Sequence, residues 1–154
     1  MLSPTEISVL AATVGSGLIA GVCFTFGAFV MKALDRLAAP QAIRAMQAIN
    51  TTVLRSSAMV VWFGTAIIGV VAAVLAEETL AIVAAALYGI GAILITGRGN
   101  VPLNDELDRA NPDQPNAAET WRRYRVQWGR WNTARTVMLT LATAGFTLVQ
   151  AHRA

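Results

Sequence analysis

The chain alternates between long stretches without any charged residue and short stretches that hold nearly all of its charge. The first uncharged stretch runs from Ile7 to Met31, and three more cover residues 56–76, 80–96 and 136–151. Helices of about 20 apolar residues cross the ~30 Å hydrocarbon core of a bilayer. Only 14% of the residues are charged, against about a quarter in soluble domains. The sequence therefore predicts an all-α fold, a four-helix transmembrane bundle that forms a single integral membrane domain over residues 1–154.

The first helix has a clear start signal. Ser3 suits the N-cap, Pro4 suits the first helical position and Glu6 completes a capping box. No positive charge precedes the apolar stretch, which is also longer than the apolar core of a signal peptide. We therefore interpret it as a span.

The second helical stretch is longer than a bilayer is thick. It begins at Pro40 and, if continuous to Ala76, is about 55 Å long. Only its second half is apolar enough for lipid, so residues 41–55 are expected to project on the cytoplasmic side, unless the helix breaks near Arg55. A tight turn at residues 76–79 then leads into the third span.

A polar segment, residues 97–120, follows the third span and is predicted to be cytoplasmic. The stretch from Asn100 to Leu107 resembles a turn followed by a short helix capped by Asn104. Asn116 and Glu119 offer a capping pair for the last helix, which is predicted to run through Trp121 to about Ala151 and also to extend on the cytoplasmic side.

Charge predicts the orientation of the chain. Of the twelve Lys and Arg residues, all but Arg153 lie in the 32–55 connection or in residues 97–135. The positive-inside rule makes these segments cytoplasmic and places both termini outside. We expect a multi-pass protein of the inner (cell) membrane, with the lipid bilayer as a partner. The basic residues flank apolar spans instead of forming a patch on a soluble module, so nucleic acid is not expected as a partner.

The start of the last helix carries an unusual face. If residues 121–135 are helical, six side chains fall within roughly 60° of one direction. They are Trp121, Tyr124, Trp128, Trp131, Asn132 and Arg135. Four amides, Gln47, Asn50, Asn100 and Asn104, fall at the same cytoplasmic mouth. An aromatic, amide-rich pocket with one cation suits a flat, partly anionic molecule that partitions into lipid.

Each of these features has a simpler explanation. Arg135 could extend to phosphate headgroups, and the tryptophans could form an interfacial belt. Asn100 and Asn104 could serve only as caps and turns. The glycines of the first span, Gly17 and Gly21 among them, serve either packing within one chain or a homo-oligomer. The sequence leaves these alternatives open.

Recognisable cofactor motifs are absent from the sequence. His152 stands alone at the end of the last helix, and no histidine, cysteine or carboxylate cluster could hold iron, copper or zinc. No glycine-rich phosphate loop or dinucleotide fingerprint occurs either. The sequence therefore predicts no cofactor.

Three pieces together resemble a known family. They are Gln47 with Asn50, then Asn100-Val-Pro-Leu-Asn104-x-x-Leu107, and then Trp121-x-x-Tyr124-x-x-x-Trp128-x-x-Trp131-Asn132-x-x-Arg135-Thr136. The combination is similar to the small integral-membrane family whose named members are anthrone oxygenases, along nearly the whole chain. The resemblance implies four membrane helices and, as in characterised members, oxidation of an anthrone to an anthraquinone by O2 without metal or flavin.

The resemblance also implies roles for residues. Arg135 with Asn132 or Asn104 would stabilise an oxyanion, and Trp128, Trp131 and Tyr124 would stack on the rings. The predicted catalytic residues are Arg135, Asn132, Asn104 and Tyr124, and the predicted substrate-binding residues are Gln47, Asn50, Asn100, Trp121, Trp128 and Trp131. The cytoplasmic side has no histidine, so Asp105, Glu106 or Tyr124 must act as the base, or the substrate must ionise unaided.

Two functions from different classes follow. The first is a cofactor-independent membrane oxygenase, an oxidoreductase of the monooxygenase type, that acts with O2 on a polycyclic, anthrone-like or quinone-like aromatic substrate. The alternative is a non-enzymatic membrane protein that binds a lipid or quinone or serves as a subunit of a complex.

Overall fold

The computed structural model describes residues 1–153, which form helices joined by short connections and contain no strand. The helices are α1 (Pro4–Leu34), α2 (Ala39–Val53), α3 (Ser57–Ala76), α4 (Thr79–Arg109) and α5 (Ala117–Arg153). The predicted all-α fold is confirmed.

Three helices, α1, α3 and α4, are long and apolar enough to cross a membrane. The fourth predicted span, residues 136–151, lies within α5, which is not among these three. The structure therefore supports a membrane protein. The four-span count, the span boundaries and the orientation of the termini stay predictions.

The four long helices form a ring of antiparallel neighbours. Asn132 Nδ2 of α5 donates to the carbonyl oxygen of Cys23 at 2.9 Å, and Thr143 Oγ1 donates to Ser16 Oγ at 3.1 Å. These bonds pair later residues of α5 with earlier residues of α1. In the same way α1 packs on α3, α3 on α4 and α4 on α5.

Small residues allow these helices to approach closely. At the end of the bundle that holds the termini, the core contains mostly alanines around Phe146 and Val149. A Cβ atom added at Gly15 would collide with the side chain of Thr65 on α3, whereas one added at Gly21 would meet nothing within 4 Å. The chain thus uses Gly15 for its own packing and leaves Gly21 uncovered. A homo-oligomer through this face stays a prediction.

The second helical stretch is interrupted, so the expectation of one continuous helix from Pro40 to Ala76 is wrong. Helix α2 ends at Val53, and Ser56 caps α3 by accepting a hydrogen bond from Ala58 N at 3.3 Å. The break near Arg55 that the sequence left open is the observed arrangement. It turns α2 into a separate helix that covers one end of the bundle.

The predicted turn at Asn100 is also wrong, because α4 continues through it to Arg109. Residues Gly89–Asn100 form a π-helical stretch, and Pro102 is the second residue of the α-helical part that follows. At the first turn of a new α-helical segment the missing N–H of proline costs little. Asn104 therefore lies within a helix and is not a cap.

Three other local predictions hold. Ser3 and Glu6 form the capping box at the start of α1. Glu77, with φ of 54°, is in the left-handed conformation and closes the tight turn between α3 and α4. The last helix runs unbroken through both the aromatic face and the final apolar stretch.

Candidate functional site

A cavity of about 380 Å³ lies among all five helices, towards the end of the bundle where α2 packs. Its walls are mainly apolar, and four of the lining side chains are the large aromatic rings of Phe26, Trp62, Phe63 and Trp128. The volume falls in the range of small-molecule sites, about 300–1,000 Å³. A guest of moderate size therefore fits in this cavity.

Among the residues that the structure describes, Arg135 is the one charged residue that lines the cavity. The residue is 9% exposed, and its guanidinium donates from Nε and Nη2 to Asn132 Oδ1 at 3.1 and 2.9 Å, and from Nη1 to Thr96 Oγ1 at 3.4 Å. Within residues 1–153 no carboxylate forms an ion pair with it. A buried cation without a counter-ion is costly, and such residues commonly mark functional sites.

Two tryptophans flank the same guanidinium. Its central carbon lies 5.1 Å from the ring centroid of Trp128 and 5.7 Å from that of Trp62. Cation–π contacts of this kind partly compensate a buried charge. They leave the cation without the full neutralisation that an anionic guest would provide.

Asn132 holds Arg135 in place and does not itself line the cavity. Its Oδ1 accepts both hydrogen bonds from Arg135, and its Nδ2 donates to the carbonyl oxygen of Cys23 at 2.9 Å. With both ends of the amide engaged by the protein, Asn132 fixes the orientation of the guanidinium. We therefore describe it as a positioning residue.

Asn104 and Asn50 line the cavity, and Tyr124 supports the first of them from behind. The Tyr124 hydroxyl donates to Asn104 Oδ1 at 2.9 Å, while Asn50 Nδ2 donates to Asp108 Oδ1 at 3.1 Å. Burial raises the pKa of Tyr124 above its ordinary value of 10, because a low-dielectric environment disfavours the phenolate. Tyr124 therefore stays protonated and is not placed to act as a base.

Of the three tryptophans predicted to bind substrate, only Trp128 lines the cavity. Trp121 stacks on Tyr124 at 5.8 Å and donates from Nε1 to Asp35 Oδ1 at 3.1 Å, which ties α5 to the end of α1. Trp131 is 42% exposed and packs against Gly99 of α4. The structure thus places Trp121 and Trp131 against neighbouring helices, and their predicted substrate-binding roles stay predictions.

Gln47 and Asn100 are also outside the cavity lining, and their predicted substrate-binding roles stay predictions as well. Gln47 Nε2 donates to the carbonyl oxygens of Leu107 and Ala110 at 2.9 and 3.1 Å, which satisfies the end of α4. Asn100 Nδ2 donates to the carbonyl oxygen of Trp128 at 3.2 Å. Both amides join helices together.

Neither of the two carboxylates proposed as a base lines the cavity. Glu106 forms an exposed ion pair with Arg123, and Asp105 is exposed on the same helix. The described residues also contain no group of three His, Cys, Asp or Glu side chains close enough together to hold a metal ion.

Trp62 and Thr96 line the cavity but were not predicted as site residues from the sequence. Trp62 is 8% exposed and donates from Nε1 to the carbonyl oxygen of Ala92 at 3.0 Å, and Thr96 contacts Arg135. A belt tryptophan is expected at the end of a span, whereas Trp62 lies more than a turn inside one, and this position was the available signal. Nothing in the sequence distinguishes Thr96 from other threonines in the spans.

One hydrogen-bond donor in the cavity wall has no partner among residues 1–153. Trp128 Nε1 is buried and makes no hydrogen bond. Buried polar groups are nearly always satisfied, so an unpaired one calls for an explanation. A guest molecule or an ordered water with an oxygen near Trp128 would supply the missing acceptor.

Comparison with known proteins identifies the family to which the chain belongs. A family model described as anthrone oxygenase matches residues 55–145, more than half of the chain, and this range includes Trp62, Thr96, Trp128 and Arg135. No curated protein and no solved structure matches. The chain belongs to the anthrone oxygenase family.

Proposed function

We propose that this chain is a membrane oxygenase that uses O2 to oxidise a polycyclic, anthrone-like or quinone-like aromatic substrate, without a resident metal or flavin. The observation that carries the proposal is Arg135, a buried cation with no carboxylate partner among residues 1–153, in a cavity lined by aromatic rings. A flat aromatic anion satisfies both features at once.

The chemistry needs an ionised substrate. Loss of a proton from the ring methylene of an anthrone gives an electron-rich enolate that reacts with O2 to form a hydroperoxide. The second C–H bond and the O–O bond then break, one oxygen atom remains as the new carbonyl and the other leaves as water. One O2 is consumed and one water is released for each anthrone oxidised.

In this proposal Arg135 carries the main catalytic role. A fixed guanidinium beside the enolate oxygen stabilises the negative charge and lowers the pKa of the bound substrate. Asn132 and Thr96 hold the guanidinium, so little reorganisation is needed when the charge develops. Since Asp105, Glu106 and Tyr124 do not line the cavity, we favour substrate ionisation assisted by Arg135 over proton removal by a side chain.

Trp128 and Asn104 are the proposed contacts to the rest of the substrate. The Trp128 ring offers a stacking surface and its Nε1 an unused donor. Asn104 has its Oδ1 engaged by Tyr124, which orients its amide at the cavity wall. Asn50 contributes a second amide on the α2 side.

The proposed setting is the inner membrane, with four spans, both termini outside and the cavity in the cytoplasmic half. Three apolar helices and the placement of the basic residues support it. In this arrangement α5 crosses the bilayer through residues 136–151, and the mouth of the cavity lies near the cytoplasmic surface.

The test is O2 uptake by purified, chelator-treated protein in nanodiscs with a simple anthrone as substrate. We expect uptake by the wild type that Arg135→Ala abolishes. Arg130→Ala removes an exposed arginine from the same helix and serves as the matched control. Size-exclusion profiles and circular dichroism of each variant show whether it is folded.

Three results would count against the proposal. No uptake above the spontaneous oxidation of anthrone, across anthrones and hydroquinones, would favour the alternative of a non-enzymatic binding protein. Uptake lost on chelation and restored by a metal would overturn the claim of cofactor independence. Equal loss in the Arg130→Ala control would remove Arg135 from the centre of the site.

A further inference from the structure

The rim of the cavity is apolar. Five large residues that line it are also exposed, from 43% for Val101 to 70% for Leu54, and none of them is charged. These residues are Val22, Leu54, Phe63, Ile93 and Val101. A mouth that opened to water would expose this surface as an unfavourable apolar patch. In a bilayer the same surface needs no cover.

The gap in the wall lies between α3 and α4. These helices are joined by the tight turn at Glu77 and pack closely near it through small residues. The last hydrogen bond that links them within the described residues runs from Trp62 Nε1 to the carbonyl oxygen of Ala92. Over the whole π-helical stretch of α4 that lines the cavity, α3 makes few contacts, which leaves a gap in the wall between the two helices. We call this gap, bounded by Met59, Phe63, Ile93 and Gly97, the side opening.

The side opening lies at the depth of the lipid tails. Exposed cations mark the cytoplasmic ends of the two helices, Arg55 just before α3 and Arg98 on α4. Phe63 lies about 12 Å from Arg55 and Ile93 about 8 Å from Arg98 along the helix axes, counted at about 1.5 Å per residue. Both helices that border the opening are among the three that can span a membrane.

We propose that the cavity opens sideways into the bilayer through the side opening, and that it admits an amphiphile from the lipid. Such a ligand has an apolar ring system that partitions into the membrane and one acidic oxygen that reaches Arg135. Its anionic end pairs with the guanidinium while its rings lie against Trp62 and Trp128. The inference deepens the proposed function, on which it rests for the role of Arg135.

The chain contains a natural reporter for this route. Cys23 is its only cysteine, is 1% exposed to solvent and lines the cavity. A maleimide can alkylate it only after passing into the cavity. The route is therefore measured as the rate of alkylation in nanodiscs by two maleimides of similar size, one that partitions into lipid and one that is sulfonated and stays in water.

We expect the lipid-soluble reagent to alkylate Cys23 at least about tenfold faster than the sulfonated one. The variant Ile93→Trp narrows the side opening and should slow the lipid-soluble reagent about fivefold or more. Ile67→Trp makes the same change on α3, at an exposed position outside the cavity lining, and should not slow it. Equal rates for the two reagents, or equal effects of the two tryptophan variants, would overturn the proposal.

A second reporter covers the case in which Cys23 does not react at all. Thr96→Cys in a Cys23→Ser chain places the thiol next to Arg135, and the same two reagents are compared. Labelling of neither thiol by the lipid-soluble reagent also overturns the proposal. None of these measurements requires turnover. If the expected alkylation rates are found but no O2 uptake, the cavity takes a lipid-borne ligand that it does not oxidise. If O2 uptake is found but the expected alkylation rates are not, only the proposed route through the side opening is rejected.

Discussion

The role assigned to Arg135 predicts that a carboxylate beside it will inactivate the protein without unfolding it. Thr96 is the position from which to introduce one, because its Oγ1 lies 3.4 Å from Arg135 Nη1. In Thr96→Asp the new carboxylate reaches the guanidinium directly and occupies the place of the substrate anion.

The expected loss of activity can be worked out from the attraction between Arg135 and the substrate anion, which the new carboxylate weakens. Two unit charges about 4 Å apart, at an effective dielectric constant of about 20, attract by about 4 kcal/mol, which corresponds to nearly a thousandfold. Part of that attraction survives, because a substrate oxyanion can still contact the far side of the guanidinium. We therefore expect kcat/KM to fall at least about 100-fold.

The assay compares Thr96→Asp with Thr96→Asn, which has nearly the same shape and no charge. O2 uptake gives kcat/KM for both, and quenching of tryptophan fluorescence by a hydroxylated anthraquinone gives the affinity for an unreactive anion. The Tm of Thr96→Asp in thermal unfolding should equal or exceed that of Thr96→Asn, because the carboxylate neutralises a buried cation. A Thr96→Asp protein that stays within about threefold of Thr96→Asn in both kcat/KM and affinity would refute the reasoning.

Three further predictions concern residues in and around the site. Trp128→Phe removes a donor that has no partner in the protein, so we expect substrate affinity to fall roughly fivefold, by the ~1 kcal/mol of one hydrogen bond, with a smaller change in thermal stability. Tyr124→Phe should leave the pH dependence of kcat/KM unchanged, because burial raises the pKa of Tyr124 and keeps it protonated. The raised pKa stabilises the fold below about pH 10, and this contribution is lost as the pH rises further. The free energy of unfolding should therefore change less between about pH 8 and about pH 11 in Tyr124→Phe than in the wild type. Gly99→Leu forces a side chain into the ring of Trp131 and should destabilise the protein by about 1–3 kcal/mol or more in thermal unfolding.

Much of the fold could be predicted because the sequence carries strong local signals. The uncharged stretches predict long helices, and Ser3, Pro4 and Glu6 mark where the first of them begins. Local signals were weaker where two helices met end to end. Pro102 was interpreted as part of a turn because the sequence does not reveal the π-helical stretch before it, which lets α4 continue.

The site was predicted less completely, for a geometric reason. The helical period correctly grouped Trp128 with Arg135, both of which line the cavity. It gives only a direction around one helix, and the identity of the neighbour in that direction depends on the whole bundle. Trp131 points towards Gly99 of α4, and Gln47 towards the end of the same helix. Their pairing becomes visible only when the helices are assembled.

The placement of Arg135 has a consequence for how the protein is made. On the proposed topology, α5 leaves the ribosome after α1 to α4, and it is the long helix that does not reach the apolarity of the other three. Two of its buried polar side chains depend in part on earlier helices, because Asn132 Nδ2 donates to Cys23 of α1 and Arg135 Nη1 donates to Thr96 of α4. Membrane integration of α5 is therefore expected to follow the assembly of the first three spans, so that a nascent chain shortened before α5 inserts normally while α5 fused alone to a reporter does not.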